Sequence, residues 1–265
     1  MNRIATEPAN EPANEPANSY PSQAGNCDAQ IEEPSIVTCG DQWMMVDWHQ
    51  HPRANRAARR LAALLRREPQ AFAEEVVAGV CTLALRLPEP EGFQGGVQRS
   101  LLREQARQWL SERAKQALDG EEAEGRLKIL PACYHPSLAP DLGFVAEQTG
   151  LSVDEVIRHH QESEFIAEVI GFMPGFAYLG GLHPALRLMR RDSPRHKVPE
   201  GSIAIAGRQS AVYPRATPGG WHLIGRCPEA LFRPEMTPPS NIQEGDRVRF
   251  EPISLETFES LWSQR

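Results

Sequence analysis

Hydrophobic and polar positions follow a helical period in two segments of the first half of the chain. Apolar residues recur every three to four positions through ANRAARRLAALLRREP and through GVQRSLLREQARQWLSERAKQAL, which predicts two amphipathic helices. Strands that alternate with such helices predict a split βαβ sandwich, ferredoxin-like in outline. The β-like runs of this half are SIVTC, QWMMVDW, EEVVAGVCTLALRLP and RLKILPACY.

The second half changes from helical to mostly β patterning. A short helix is predicted over PDLGFVAEQTG and ends at Gly150, and Ser152 with Glu155 has the spacing of a capping box that starts the next helix. From Phe165 onward, prolines and glycines separate short β-like runs, which predicts a closed or sandwich-like sheet. The runs are FIAEVIGF, GSIAIAG, AVYP, GGWHLIG and RVRFEPI.

These patterns divide the chain into three segments. Residues 1–33 contain the four-residue repeat EPANEPANEPAN, which lacks the apolar surface needed to order it and predicts a disordered tail. Residues 34–135 form the predicted N-terminal α+β domain, whose surface loop is EPEGFQGG. Residues 136–265 form the predicted β-rich domain.

Composition narrows the function classes. The formal charge of -7 argues against general binding of nucleic acid, which requires a basic surface. The longest apolar run is far shorter than the roughly 18 residues of a membrane span, so we expect no membrane segment. The five cysteines are scattered without a CxxC pair, as is typical of reduced residues in a cytoplasmic protein.

Motifs for metal or self-sufficient nucleotide chemistry are absent from the sequence. His49 and His51 lack supporting third and fourth ligands, and adjacent His159 and His160 point apart on a helix. We therefore expect no metal site. The sequence also has no P-loop, no GxGxxG after a strand and no GxSxG elbow.

A local reversal of charge supplies the first candidate site residue. The loop LRLMRRDSPRHK is strongly basic in an acidic protein, and a solvated basic face explains most of it. Arg195 differs because Pro194 precedes it and a strand follows, so its backbone is constrained. A guanidinium held in this way suits a carboxylate or phosphate as a bidentate partner.

Further candidates flank this loop. Gln209 offers an amide pair of hydrogen bonds, and Gly219 with Gly220 can adopt positive φ and expose backbone N–H groups to a ligand. Tyr213 is either a pocket residue or a core aromatic. Two candidates for proton transfer complete the set: Asp141, whose alternative role is to cap a helix, and His160, at the end of a capped helix.

The segment GFMPGFAYLGG contains no ionisable side chain other than Tyr178 and is followed at once by the basic loop. We interpret it as the wall of a pocket with an anion-binding rim, and assign Phe172 and Phe176 to that wall.

The motifs GFMPGFAYLGGL, SPRHKVPEGSIAIAGRQSAVYPRATPGGWHLIGR and EGDRVRF resemble those of the family of 5-oxoprolinase B subunits, also known as allophanate hydrolase subunit 1. The family also includes a sporulation-kinase inhibitor. The resemblance extends from about Ser35 to the C-terminus. The chain departs from the usual motifs at Ala177 and Ala211, where proline and glycine are usual.

The resemblance implies an α+β N-terminal domain followed by a cyclophilin-like β-barrel of the carboxyltransferase type. It implies that the chain acts with homologues of the C and A subunits of 5-oxoprolinase to convert 5-oxo-L-proline, a small anionic lactam, to L-glutamate. It also implies a requirement for ATP with magnesium, bound together with a partner subunit. Arg195 and Gln209 would orient the lactam, the backbone of Gly219 and Gly220 would stabilise negative charge, and His160 or Asp141 would handle the proton.

Two alternatives remain open from the sequence. One is a regulatory module that binds and inhibits a sensor histidine kinase. The other is a subunit of an allophanate- or urea-type amide-processing enzyme. Prolyl isomerase activity would rest on fold analogy alone.

Overall fold

The computed structural model describes residues 33–49, 51–89, 95–120 and 125–265. The predicted tail, apart from its last residue, and most of the predicted loop EPEGFQGG lie outside the described residues.

A four-stranded antiparallel sheet with two helices forms the N-terminal unit. The strand order is β1-β2-β4-β3, so β2 and β3 run parallel with β4 between them. Helix α1 connects β2 to β3, which is the predicted split βαβ unit. The ferredoxin-like layout is therefore present, with the edge strand β1 first in the chain. The elements are β1 Ser35–Cys39, β2 Trp43–Asp47, α1 Ala54–Arg67, β3 Glu75–Ala78, β4 Thr82–Arg86 and α2 Gly95–Asp119.

One long predicted strand of this unit is a hairpin. The run EEVVAGVCTLALRLP divides into β3 and β4, which pair antiparallel from Ala78–Leu83 outward. Gly79 donates its N–H to the Thr82 carbonyl at 2.7 Å and turns the chain. The turn could not be recognised in the sequence, because β3 and β4 both have buried residues and their apolar side chains form one continuous run.

A seven-stranded sheet forms the C-terminal unit in the order β12-β9-β10-β7-β6-β13-β5. Cys133, directly after β5, exchanges two backbone hydrogen bonds with Arg226 at the end of β12, so the sheet curls into a nearly closed barrel. A separate pair, β8 with β11, covers part of its outer face. The strands are β5 Leu127–Ala132, β6 Phe165–Ile170, β7 Ala177–Gly180, β8 Arg195–Val198, β9 Ser202–Ala206, β10 Gln209–Val212, β11 Thr217–Gly219, β12 His222–Arg226 and β13 Arg247–Pro252.

Strand β5 belongs to this barrel and not to the N-terminal unit. It pairs in parallel with β13 from Arg247↔Leu127 to Pro252↔Ala132. The boundary that the sequence placed between residues 135 and 136 therefore falls before β5. The pairing partner lies about 120 residues downstream, so local patterning carried no information about it.

Three helices complete the barrel unit. Helix α3, Leu142–Thr149, ends at Gly150 with φ 69, and α4, Val153–Glu162, begins with the predicted capping box between Ser152 and Glu155. Helix α5, Leu255–Ser263, was not predicted. The barrel interior is mostly apolar, and Leu130, Phe165, Leu179, Ile203 and Ile205 are among its fully buried residues.

Candidate active site

Asp141 and Arg195 form the centre of a buried ionic cluster. Asp141 is 4% exposed, and its Oδ1 accepts hydrogen bonds from Arg195 Nη2 at 2.5 Å and Arg191 Nη1 at 3.3 Å. Its Oδ2 accepts the N–H of Leu223 at 2.7 Å. Although Asp141 occupies the N-cap position of α3, its side chain does not cap the helix. The carboxylate therefore fixes the arginine and ties α3 to β12.

Arg195 lines a cavity of about 240 Å³ on the barrel surface. Two further cations, Lys197 and Arg226, share the lining, and no carboxylate does. The remaining lining combines two hydroxyl groups with apolar walls, from Ser137, Ser202, Leu138, Pro140, Pro199 and Leu223. The cavity has the charge and size for a small anionic ligand.

Tyr213, Gly219 and Gly220 lie near Arg195, although none of the three lines the cavity. Gly219 is the strand partner of Arg195 across β11 and β8. A Cβ on Gly219 would lie 2.6 Å from the Tyr213 hydroxyl, so the tyrosine packs directly on this glycine. Burial is the largest of the effects that raise the pKa of Tyr213 to about 12.

The positive φ that glycine permits is not adopted at these two positions. Neither Gly219 nor Gly220 has positive φ, because the first is a strand residue and the second extends from it. Gly219 is needed for space and not for backbone conformation.

Gly219→Ala is expected to destabilise the fold by about 1–3 kcal/mol, the usual cost of inserting a methyl group into a packed contact. Gly220→Ala is the matched control, since its nearest neighbours would be 3.7 Å from the new Cβ, an ordinary contact. Urea unfolding of both variants measures the difference. Equal stabilities would contradict the packing of Tyr213 on Gly219.

The segment GFMPGFAYLGG is a tight turn followed by a strand. Gly171 N–H bonds to the Phe176 carbonyl at 3.1 Å and closes the turn between β6 and β7. Phe176 is 2% exposed and forms edge-on contacts with Tyr178, Tyr213 and Trp221. Phe172 is 61% exposed and has φ 70, an uncommon conformation for a bulky residue. Of the two predicted wall residues, only Phe172 presents its ring to solvent.

Gln209 lies away from Arg195. Four residue steps of extended chain lead from Gln209 to Tyr213, a distance of about 13 Å. Its Nε2 donates to Oε2 of Glu168 at 2.8 Å, and Arg208 donates to the other oxygen at 2.9 Å. The structure therefore does not bring Gln209 to the cavity. Glu168 was not predicted, although it is the one acidic residue in the otherwise apolar strand β6.

His160 is fully enclosed in the barrel interior. Its Nδ1 contacts the Tyr134 hydroxyl at 2.8 Å and its Nε2 contacts Ser210 Oγ at 2.9 Å. Ser210 donates to the Ala204 carbonyl, so its oxygen accepts from Nε2–H and the tyrosine donates to Nδ1. Burial lowers the pKa of His160 to about 3. The ring is neutral and makes no contact with the cavity lining, so its role in proton transfer stays a prediction.

A larger cavity of about 550 Å³ lies between α1, α2 and the Glu244–Gly245 turn. Its lining is rich in arginine, and Arg66 pairs with Glu244 at 3.1 Å. None of the site residues predicted from the sequence lines it.

Within the described residues, no three His, Cys, Asp or Glu side chains are grouped so as to hold a metal ion. No helix in the same part of the chain has the length and apolarity to cross a membrane.

A family model described as "Carboxyltransferase domain, subdomain C and D" matches residues 34–242. The chain belongs to this carboxyltransferase domain family. The match includes the ionic cluster, the cavity and every described strand apart from β13.

Curated relatives confirm the resemblance stated from the motifs. The chain is 42% identical over 149 residues to the 5-oxoprolinase B subunit of Bacillus subtilis. This alignment covers 56% of this chain and 62% of the relative. It is 45% identical over 131 residues to the protein of that name from Escherichia coli O157:H7, covering 49% and 60%. The alignments thus span about three fifths of these relatives.

Solved structures confirm the α+β, cyclophilin-like fold class. The crystal structure of TTHA0988 is similar with a TM-score of 0.63 and 32% identity, over 80% of this chain and 40% of that one. The urea carboxylase of Kluyveromyces lactis is similar with a TM-score of 0.67 over 89% of this chain and 23% of that one. At 17% identity, the second likeness shows the fold alone.

Proposed function

We propose that this chain is the B subunit of an ATP-dependent 5-oxoprolinase, which converts 5-oxo-L-proline to L-glutamate together with the C and A subunits. The observation that carries the proposal is the 40–45% identity to three proteins named as B subunits of 5-oxoprolinase. The cytoplasmic location expected from the sequence is part of the same proposal.

The Arg195 cavity supports this proposal because its size and charge suit a small anionic group, and the proposed reaction involves two: the carboxylate of the lactam and the phosphoryl group that activates it. Arg195 is the residue that binds an anionic group, and Asp141 is the positioning residue that holds its guanidinium. Leu138, Pro140 and Pro199 offer an apolar wall to a compact ring. Of the substrate-binding residues predicted from the sequence, only Arg195 lines this cavity. We propose that Gln209 and Phe172 contact a different part of the assembled site.

ATP would supply the phosphoryl group that activates the lactam. Within the described residues, no three His, Cys, Asp or Glu side chains form a group that could hold a metal ion by themselves. We propose that ATP with magnesium is bound together with a partner subunit.

The test is ATP hydrolysis dependent on 5-oxoproline, measured for this chain alone and mixed with its C- and A-subunit counterparts. We expect activity in the full mixture and none for the chain alone. A stable complex without 5-oxoproline-dependent hydrolysis would refute the substrate and favour another amide. Absence of both complex and activity would favour the regulatory module.

A further inference from the structure

Arg226 is a cation of the small cavity that the sequence analysis did not identify. It is the last residue of β12, and its Nε donates to the Glu200 carbonyl at 2.8 Å. Its guanidinium lies 4.3 Å from the ring centroid of Trp262, on α5, and 5.7 Å from that of Phe258. Backbone and stacked ring together fix the plane of the guanidinium.

The two terminal nitrogens of Arg226 are available to a ligand. Within the part of the chain that the structure describes, only Nε of this side chain forms a hydrogen bond. The Glu200 carboxylate is engaged by Arg265 at 2.8 Å, and Arg265 also stacks on the ring of Trp262. The helix α5 thus holds Arg226 in place without neutralising it.

The cavity as a whole carries an excess of positive charge. Arg195, Lys197 and Arg226 line it, while the Asp141 carboxylate is shared by two arginines and the Glu200 carboxylate, which also acts on Arg226, is paired with Arg265. Burial lowers the pKa of Arg226, so holding this charge in the fold carries a desolvation cost. A bound anion would offset that cost.

We propose that this cavity binds a phosphoryl group or phosphate dianion, with Arg226 as a binding residue and Trp262 as its positioning residue. A carboxylate is a monoanion that one arginine can satisfy through two hydrogen bonds, whereas three cations match a dianion with three acceptor oxygens. The volume of about 240 Å³ is below the range of pockets for nucleotide-sized ligands. The choice of a phosphoryl group rests on the proposed ATP-dependent function.

The test measures binding of inorganic phosphate to the full chain by calorimetry, with acetate and 5-oxoproline compared at equal ionic strength. We expect phosphate to bind at one site at least about tenfold more tightly than acetate. Arg226→Gln is expected to weaken phosphate binding about tenfold or more, and Arg226→Lys is expected to weaken it less. Trp262→Leu is expected to weaken phosphate binding although it leaves the charge of Arg226 in place. Arg233→Gln is the matched control, because it removes an equal charge from an exposed residue outside the cavity.

Three outcomes would overturn the inference. Phosphate that binds no better than acetate refutes the dianion site. Unchanged phosphate binding in folded Arg226→Gln or in Arg226→Lys refutes the role of Arg226. Preferential binding of 5-oxoproline, with loss in Arg226→Gln, makes the cavity a carboxylate site and leaves the proposed function intact. Conversely, specific phosphate binding by a chain whose mixtures lack 5-oxoproline-dependent hydrolysis would support the cavity and refute the proposed substrate.

Discussion

Asp141→Ala is expected to lower the free energy of unfolding by about 3 kcal/mol, a typical cost of removing one member of a buried ion pair. The substitution leaves the Arg195 and Arg191 guanidinium groups without their shared carboxylate. It also leaves the buried N–H of Leu223 without an acceptor. Both losses act at one place, where α3 meets β12 and the β8–β11 pair.

Urea unfolding at neutral pH measures this effect, and Asp192→Ala provides the control. Asp192 lies in the same basic loop but is exposed, so its replacement should change stability by less than about 0.5 kcal/mol. If both variants unfolded at the same urea concentration, Asp141 would not be the anchor of this cluster. Asp141→Asn should be intermediate, because its amide oxygen can still accept one hydrogen bond.

Local signals in the sequence predicted local structure correctly. The capping box at Ser152 and Glu155 and the helix end at Gly150 both depend on residues within a few positions of one another. Pairing over long sequence distances was not predictable in this way. Strand β5 was grouped with the wrong unit because its partner β13 follows about 120 residues later.

In the candidate site, too, residues with a local sequence signal were predicted, whereas contacts between distant segments were not. Arg195 could be found because a basic loop, a proline and a strand start occur together in the sequence. Its partner Asp141 was predicted as a catalytic residue or a helix cap, and only the fold shows the carboxylate turned towards Arg195. Arg226 and Trp262 carry no signal in sequence, since their stacking requires the unpredicted helix α5 to pack against β12.

The departure at Ala211 has a simple structural consequence. Alanine in place of glycine would exclude positive φ, but Ala211 is a fully buried residue of the regular strand β10. It packs in the aromatic layer with Phe176 and Tyr213. The substitution therefore adds a methyl group to a packed layer and imposes no conformational restriction on a loop.

Acidification is expected to destabilise the protein through His160. The native pKa is about 3 because the ring is fully buried, while an unfolded histidine titrates near its ordinary value of 6.5. Between these values the unfolded state binds a proton that the native state does not, so stability is complete above about pH 6.5 and decreases as the pH falls. At about pH 4.5 the loss from this residue alone is about 2.7 kcal/mol, since each unit of pH costs about 1.36 kcal/mol.

His160→Gln separates this effect from the titration of other groups. Glutamine retains hydrogen-bonding capacity towards Tyr134 and Ser210 but cannot take up a proton, so the variant should lose less stability than the wild type between pH 7 and about pH 4.5. His196→Gln, at an exposed position of β8, should keep the wild-type pH dependence. Urea unfolding across this range gives the three slopes. A wild-type slope in His160→Gln would show that His160 is accessible to protons in the native state, which is the property that a general acid or base in this barrel would need.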